Sequence, residues 1–384
     1  MNFMGYRRKD DRAGTRNHVL IFPTIICATA VAEMISRAVP GTVSVSHPHG
    51  CGHMGEEKDL MVRAMAGFCG HPNVAGVLLV GLGCELLTPE LIAGAMPPGQ
   101  RYELLGIQAE GGTTAAVEKG KQLAARLLAE AADDRRVPID ISELILGTNC
   151  GGSDTLSGLT ANPALGNAAD RLVAAGGTVI LSETPELIGA EQVLSRRAAS
   201  DAVGRRIYEI TAATEAIAIR AGVDIRDSEP SPGNKEGGLT TLEEKSLGAV
   251  LKGGTSMIRQ VVNYAERPTE KGLVIMDGPA HDAVCNTGVI AGGAQVVAFT
   301  TGRGTPLGAP TAPVLKISSN SRIYRLMNDN IDMDAGVIME GTATIESVGE
   351  ALFREIIEVA SGKPTKAELL GHGEFAIHSM GLNV

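Results

Sequence analysis

Leu144-Ile145-Leu146-Gly147-Thr148-Asn149-Cys150-Gly151-Gly152-Ser153-Asp154 is the stretch that decides the fold. A short apolar run passes directly into glycines, a cysteine and an acid. Continuous apolar runs are what strands buried on both faces of a parallel sheet require. A glycine loop at the carboxyl end of such a strand is where open α/β sheets bind their ligands. The habit recurs at Val77-Leu78-Leu79-Val80, which runs into Gly81-Leu82-Gly83-Cys84-Glu85. It recurs again at Val296-Val297-Ala298-Phe299-Thr300, which runs into Thr301-Gly302-Arg303-Gly304.

Further strands are expected at 18–22, 43–46, 178–181, 273–276 and 314–317. Helices are expected at 114–132, 190–221 and 344–360. The last carries Ile345, Val348, Leu352, Ile356 and Val359 three or four apart, which makes one buried stripe. Strands alternating with helices predict an α/β fold: two Rossmann-like units with mainly parallel sheets and glycine-rich strand-end loops. Residues 227–238 are the clearest break in composition. The boundary is placed there, giving 1–226 with the Cys/His loops and 227–384 with the Lys/Arg loops. Residues 371–384 read as an ordered tail or an oligomer contact.

Composition narrows the function. Glycine makes up 48 of 384 residues, against about 7% on average. Hydrophobic residues at 44% are too many for a disordered chain. Aromatics at 3% and a net charge of -10 argue against base stacking and phosphate neutralisation, so no nucleic-acid partner is expected. No apolar run is long enough to span a membrane, and the N-terminus lacks a secretory pattern. A cytoplasmic protein with reduced thiols is expected.

The densest chemistry is His47-Pro48-His49-Gly50-Cys51-Gly52-His53. Imidazoles and a thiol loosened by glycines suit a transition metal. Cys51, Cys84 and Cys150 each end a predicted strand, so a parallel sheet could gather all three on one edge as metal ligands. Three thiolates can hold a transition ion or an iron–sulfur cluster and leave one position open for substrate. Cys27, Cys69 and Cys285 read as small buried residues, with Cys285 the exception to watch. Charged residues gather on the same loops: Glu85, Asp154, His281 beside Asp282, Arg303, and Lys316 at a strand end. Lys235 and Lys245 flank the loop that includes Asn234. The third glycine of a dinucleotide fingerprint is missing after both Gly-x-Gly pairs, which disfavours a nicotinamide dehydrogenase.

Several of these segments together resemble the altronate/galactarate dehydratase family, which includes the large subunit of sulfolactate sulfo-lyase. They are Gly5-Tyr6-Arg7-Arg8, Gly14-Thr15-Arg16-Asn17-His18, His49-Gly50-Cys51-Gly52, Gly81-Leu82-Gly83-Cys84-Glu85 and Cys150-Gly151-Gly152-Ser153-Asp154. Ser157-Gly158, Thr160-Ala161-Asn162-Pro163, Ser231-Pro232-Gly233-Asn234-Lys235, Thr240-Thr241-Leu242-Glu243-Glu244-Lys245 and Phe299-Thr300-Thr301-Gly302-Arg303-Gly304-Thr305 continue the likeness nearly end to end.

The resemblance implies iron-dependent β-elimination from a 2-hydroxy acid, with Fe2+, a cluster or another divalent metal as cofactor. The base would be His49, His281, Lys235 or Lys245. Arg303 or Lys316 would grip the carboxylate, with Asp154 and Asn234 as further substrate contacts. Altronate or galactarate would lose hydroxide, or sulfolactate would lose sulfite. Single-chain members carry a small SAF-type domain ahead of this core. A small SAF-type partner subunit is therefore expected, in a homo- or hetero-oligomer. The competing reading is a non-catalytic scaffold stabilised by a metal.

Overall fold

The computed structural model describes residues 1–379 and 381. Its strands are β1 (Asn2–Arg7), β2 (Ala13–Gly14), β3 (His18–Pro23), β4 (Thr42–Ser44), β5 (Val74–Gly81), β6 (Tyr102–Gly106), β7 (Arg136–Asp140), β8 (Ile145–Cys150), β9 (Thr178–Leu181), β10 (Ile258–Val262), β11 (Gly272–Met276), β12 (Val296–Thr301), β13 (Val314–Ser318) and β14 (Met333–Asp334). Two sheets are parallel throughout. One has four strands in the order β4-β3-β5-β6. The other has seven in the order β10-β11-β9-β8-β12-β13-β14. A small antiparallel sheet, β2-β1-β7, joins the N-terminus to the segment ahead of β8.

The apolar runs follow from burial on both faces. Along β3, Val19 and Ile21 enter one core while Leu20 and Phe22 enter another. Along β12, Val296 and Ala298 face one way, Val297 and Phe299 the other. Successive side chains of a strand point to opposite faces, so both sets must be apolar. The helices Gly55–Cys69 and Asp282–Ala291 lie between the two sheets. Their Met61, Met65, Phe68, Val289 and Ile290 share one core with Leu20 and Phe22 on one side and Val297 and Phe299 on the other. The sheets are thus welded through a common apolar layer.

The chain departs from expectation in instructive places. The seven-stranded sheet takes β8 and β9 from before residue 227 and β10 to β14 from after it. The division expected at 226/227 therefore passes through one sheet. The helix expected over 190–221 is split into Glu191–Ser195 and Asp201–Arg220. Between them the backbone turns aside to pair with β10: Ile258 N–H donates to Arg197 O (2.8 Å) and Ala199 N–H to Ile258 O (2.9 Å). Ser200 then caps the second helix, accepting from Val203 N–H. Cys69 and Cys285 are buried as expected, but Cys27 is exposed. Of the tail, Met380 and residues 382–384 lie outside the described residues. Before them, Phe375 packs edge-on to Phe68 with ring centroids 4.6 Å apart. No helix among the described residues is long and apolar enough to cross a membrane.

The two central helices approach closely at Gly67, where a Cβ would meet Ala291 O at 2.5 Å. Gly67→Val is expected to force them apart and destabilise the fold by about 1–3 kcal/mol, the usual cost of overpacking. A urea midpoint equal to that of the wild type would contradict this account of the shared core.

Candidate functional site

All seven strands of the larger sheet run the same way, so their carboxyl ends share one edge. From β8 the chain moves to β9 on one side, and later crosses to β12 on the other. That divergence makes the edge between β8 and β12 a topological switch point, the usual seat of a ligand in open α/β sheets. Two glycine loops meet there. Gly151 N–H donates to Thr300 O (3.1 Å), and Gly302 and Arg303 N–H both donate to Gly152 O (3.1 and 2.9 Å). Gly152 has φ +60, a conformation that suits glycine.

Beneath the loops lies a buried charged centre. Lys252 Nζ donates to Cys150 Sγ (2.7 Å), Glu183 Oε2 (2.6 Å) and Glu186 Oε2 (3.3 Å). Cys150 N–H donates to Glu183 Oε2 (3.0 Å), and its thiol donates to Glu186 Oε2 (2.9 Å). Lys245 Nζ holds the other oxygen of Glu186 at 3.1 Å and Glu229 at 2.6 Å. Glu183 sits at φ 74, unusual for a residue with a side chain, and is fully buried. Strain of this kind costs of order 1–3 kcal/mol and concentrates at functional sites. Burial and the nearby Glu186 push the Glu183 carboxyl up, against the pull of Lys252. Burial opposes ionisation of Glu186 too, but Lys245 and Lys252 overcome it and hold that carboxyl below its usual range. Burial and the two carboxylates keep Cys150 as a thiol.

The ligand atoms of Cys150, Glu183 and Glu186 all lie within 4.8 Å of one another and could hold a metal ion. Glu183 Oε1 is buried without a hydrogen-bond partner, so a donor is available. Neither Cys51 nor Cys84 joins this group. Both are exposed on loops of the four-stranded sheet. The expected three-thiolate set is thus not gathered at this centre, because its members belong to two sheets.

Asp282 completes the edge. It opens the helix Asp282–Ala291, and a Cβ at position 151 would lie 2.3 Å from its Oδ2. Glycine at 151 is what lets this carboxylate lie against the β8 loop. Burial and the charge of Glu186 raise its pKa to about 6.

The other expected site residues separate into three kinds. Some are loop ties. Asp154 accepts from Ser157 N–H (2.8 Å), Ser319 Oγ (2.7 Å) and Asn320 Nδ2 (2.9 Å), which leaves little capacity for substrate. Asn234 accepts from Ser231 and donates to Ser153 O (3.0 Å), docking the 231–237 turn on the β8 loop. The break at 227–238 is therefore part of the site's wall. Lys316 is buried, and its Nζ donates to Pro306 O and Leu307 O (3.0 and 2.9 Å), so it braces a loop instead of gripping a carboxylate. Burial lowers its pKa to about 8.

Lys245 is a second kind. Burial works against its charge, but Glu186 and Glu229 outweigh that and hold its pKa above the ordinary lysine value. A lysine base must be neutral, so this geometry opposes that role. The third kind is exposed. His281 and Lys235 stand at the surface, and Arg303 makes a solvent-facing ion pair with Glu236 at 2.9 Å.

The histidine loop follows β4 on the other sheet. His47 Nε2 donates to Pro23 O (2.6 Å), and burial lowers its pKa to about 4. His49 stacks on it with centroids 5.8 Å apart, and burial and then His53 lower its pKa. Glu85 accepts from the backbone N–H of Leu82, Gly83 and Cys84 (3.0, 2.6 and 2.9 Å) and so shapes the loop that carries Cys84.

Glu183, Glu186 and Lys252 are the residues that sequence reasoning passed over; Asp282 was noted only as a charged neighbour of His281. Two acids in Ser182-Glu183-Thr184-Pro185-Glu186, directly after the expected strand 178–181, were a legible signal.

The comparisons agree with this architecture. Residues 5–132 match the family described as D-galactarate dehydratase/altronate hydrolase, second domain. Residues 141–382 match D-galactarate/altronate dehydratase, C-terminal. Altronate dehydratase of Bacillus subtilis (strain 168) is 36% identical over 392 residues, covering 100% of this chain and 78% of that protein. The (2R)-sulfolactate sulfo-lyase subunit beta of Chromohalobacter salexigens is 36% identical over 377 residues, 98% of this chain and 96% of that one. Galactarate dehydratase (L-threo-forming) of Escherichia coli (strain K12) is 38% identical over 382 residues, 94% and 73%.

Gly151→Ala is expected to displace the Asp282 carboxylate, and also to press on the buried Phe299 ring, whose Cζ would lie 2.7 Å from the added Cβ. A displacement of about 1 Å costs on the order of 100-fold in turnover. Wild-type turnover in this variant would remove Asp282 from the site.

Proposed function

We propose that this chain, which belongs to the D-galactarate/altronate dehydratase family, is a lyase that eliminates water from a 2-hydroxy sugar acid such as altronate or galactarate. The product is a 2-keto-3-deoxy acid. The observation that carries the reading is the buried Cys150–Glu183–Glu186–Lys252 centre at the switch point, with the Asp282 carboxylate laid against the same loop.

Elimination needs a base at C2, next to the substrate carboxylate, and a path for the hydroxide leaving C3. Asp282 is the base in this scheme. Its raised pKa leaves it ionised at neutral pH yet more basic than an ordinary aspartate. Arg303 binds the substrate carboxylate, exchanging an exposed partner, Glu236, for a bidentate contact. The C2–H pair of electrons forms the C2–C3 double bond as the C3–O bond breaks, and the enol then tautomerises to the keto acid. A divalent ion such as Fe2+, held by Cys150, Glu183 and Glu186, would supply a Lewis acid for the departing oxygen. A strained, fully buried glutamate beside a perturbed aspartate is better suited to catalysis than to a scaffold.

Sulfolactate is the second reading. The likeness to the sulfo-lyase subunit spans nearly the whole of that protein. The same proton leaves C2, and sulfite replaces hydroxide as the leaving group. That relative's name, subunit beta, also supports a partner subunit for this chain, and we propose that it is the small SAF-type one. All six cysteines are unpaired, which suits a reducing compartment, and we place the enzyme in the cytoplasm.

Anaerobic assay of altronate, galactarate and sulfolactate, with keto acid and sulfite both measured, tests the reading. Product from none of the three, with a co-expressed partner present, would overturn it. Because the base must be deprotonated, kcat/KM is expected to rise with pH through about 6. Asp282→Asn should abolish that limb and lower kcat at least ~100-fold, the scale of general-base catalysis. An unchanged profile would assign the base elsewhere.

A further inference from the structure

We propose that Lys252 is the resident cation of the buried centre, and that a divalent metal ion enters it only by displacing the lysine ammonium. The inference rests on the reading of Cys150, Glu183 and Glu186 as a metal-holding group, and it says how that group is regulated.

All three prospective ligands converge on one atom. Lys252 Nζ lies 2.7 Å from Cys150 Sγ, 2.6 Å from Glu183 Oε2 and 3.3 Å from Glu186 Oε2. The donors themselves lie within 4.8 Å of one another. Metal–oxygen and metal–sulfur bonds run at about 2.0–2.3 Å. An ion bonded to all three would therefore occupy the place of the ammonium, and the two cannot share it. Nor can solvent mediate, because the side chains of Lys252 and Glu183 are 1% and 0% exposed.

The remaining contacts fit an exchange. Lys245 holds Glu186 Oε1, so that carboxylate offers only Oε2 to the centre. Glu183 Oε1 is buried and has no partner, so Glu183 can turn from a one-oxygen contact with an ammonium to a two-oxygen contact with an ion. The backbone of the lysine turn is fixed: a Cβ at Gly166 would lie 2.1 Å from Leu251 O. Displacement is thus a swing of the Lys252 side chain, not of its turn. The lysine neutralises two buried carboxylates when no ion is bound, and it sets a threshold below which adventitious ions do not enter.

Cobalt(II) titration of the whole protein tests this, with the thiolate-to-cobalt absorption band as the readout. Lys252→Gln removes the competing charge and keeps a hydrogen-bonding side chain. It is expected to bind one cobalt per chain at least ~10-fold more tightly than the wild type, within the range by which residues beside a metal site alter affinity. The band should vanish in the Cys150→Ser/Lys252→Gln double variant. Equal affinity in wild type and Lys252→Gln would overturn displacement while leaving the metal group standing. Failure of both to bind would overturn the metal group as well, and turnover of the candidate acids would still judge the elimination reading separately.

A measurement on the wild type alone guards against misfolding of the variants. Amine acetylation followed by mass spectrometry should label Lys252 only when cobalt is present. Labelling that cobalt does not change would overturn the proposal.

Discussion

An ammonium sealed among two carboxylates and a thiol is the constraint around which this site is arranged. Taking a charge out of water costs several kcal/mol even after relaxation, and the cost is recovered only when every partner is in place. Lys252 therefore fixes three separate pieces of chain at once: the end of β8 through Cys150, the turn after β9 through Glu183 and Glu186, and its own turn. The left-handed backbone of Glu183 is tolerable in that setting because two bonds, from Lys252 and from Cys150 N–H, hold its carboxylate where it is.

The glycine excess has a matching explanation. Gly151 makes room for Asp282, and Gly302 makes room for Asp154, whose Oδ1 a Cβ would meet at 2.4 Å. At the switch point the backbone itself forms the floor, with the Asp282 and Asp154 carboxylates laid against it. That is how a chain with 3% aromatics would build the proposed site for a compact, hydroxylated acid. Such a molecule offers little apolar face to stack on and many groups to hydrogen-bond.

Much of this was legible in the sequence, and what was not has a physical reason. Continuous apolar runs ending in glycine loops located the core strands of both sheets, because burial on two faces admits no polar alternation. Strands that escaped notice lack that signature. β7 carries arginine, proline and aspartate, and β14 is two residues long. Cys150 was legible as a loop residue at a strand end. Lys252, 102 residues away, was not, since nothing local distinguishes it from a helix-end lysine on the surface. The thiols misled for a related reason. Cys51, Cys84 and Cys150 follow the same local rule, but the rule does not say which sheet each strand joins.

The same centre also separates the acids by environment. Glu186 touches both lysines and is held below its usual range, whereas burial and then the like charge of Glu186 raise Asp282 to about 6. Pairs of carboxyl groups driven apart in this way are how one site supplies a permanent anion and a usable base together. Burial raises Asp282 first and Glu186 adds to it: the lysines that keep Glu186 charged are what make it repel an ionised Asp282. A change at Lys245 or Lys252 is therefore felt at Asp282 without any contact between them, and the base strength of the edge is set from beneath the loops.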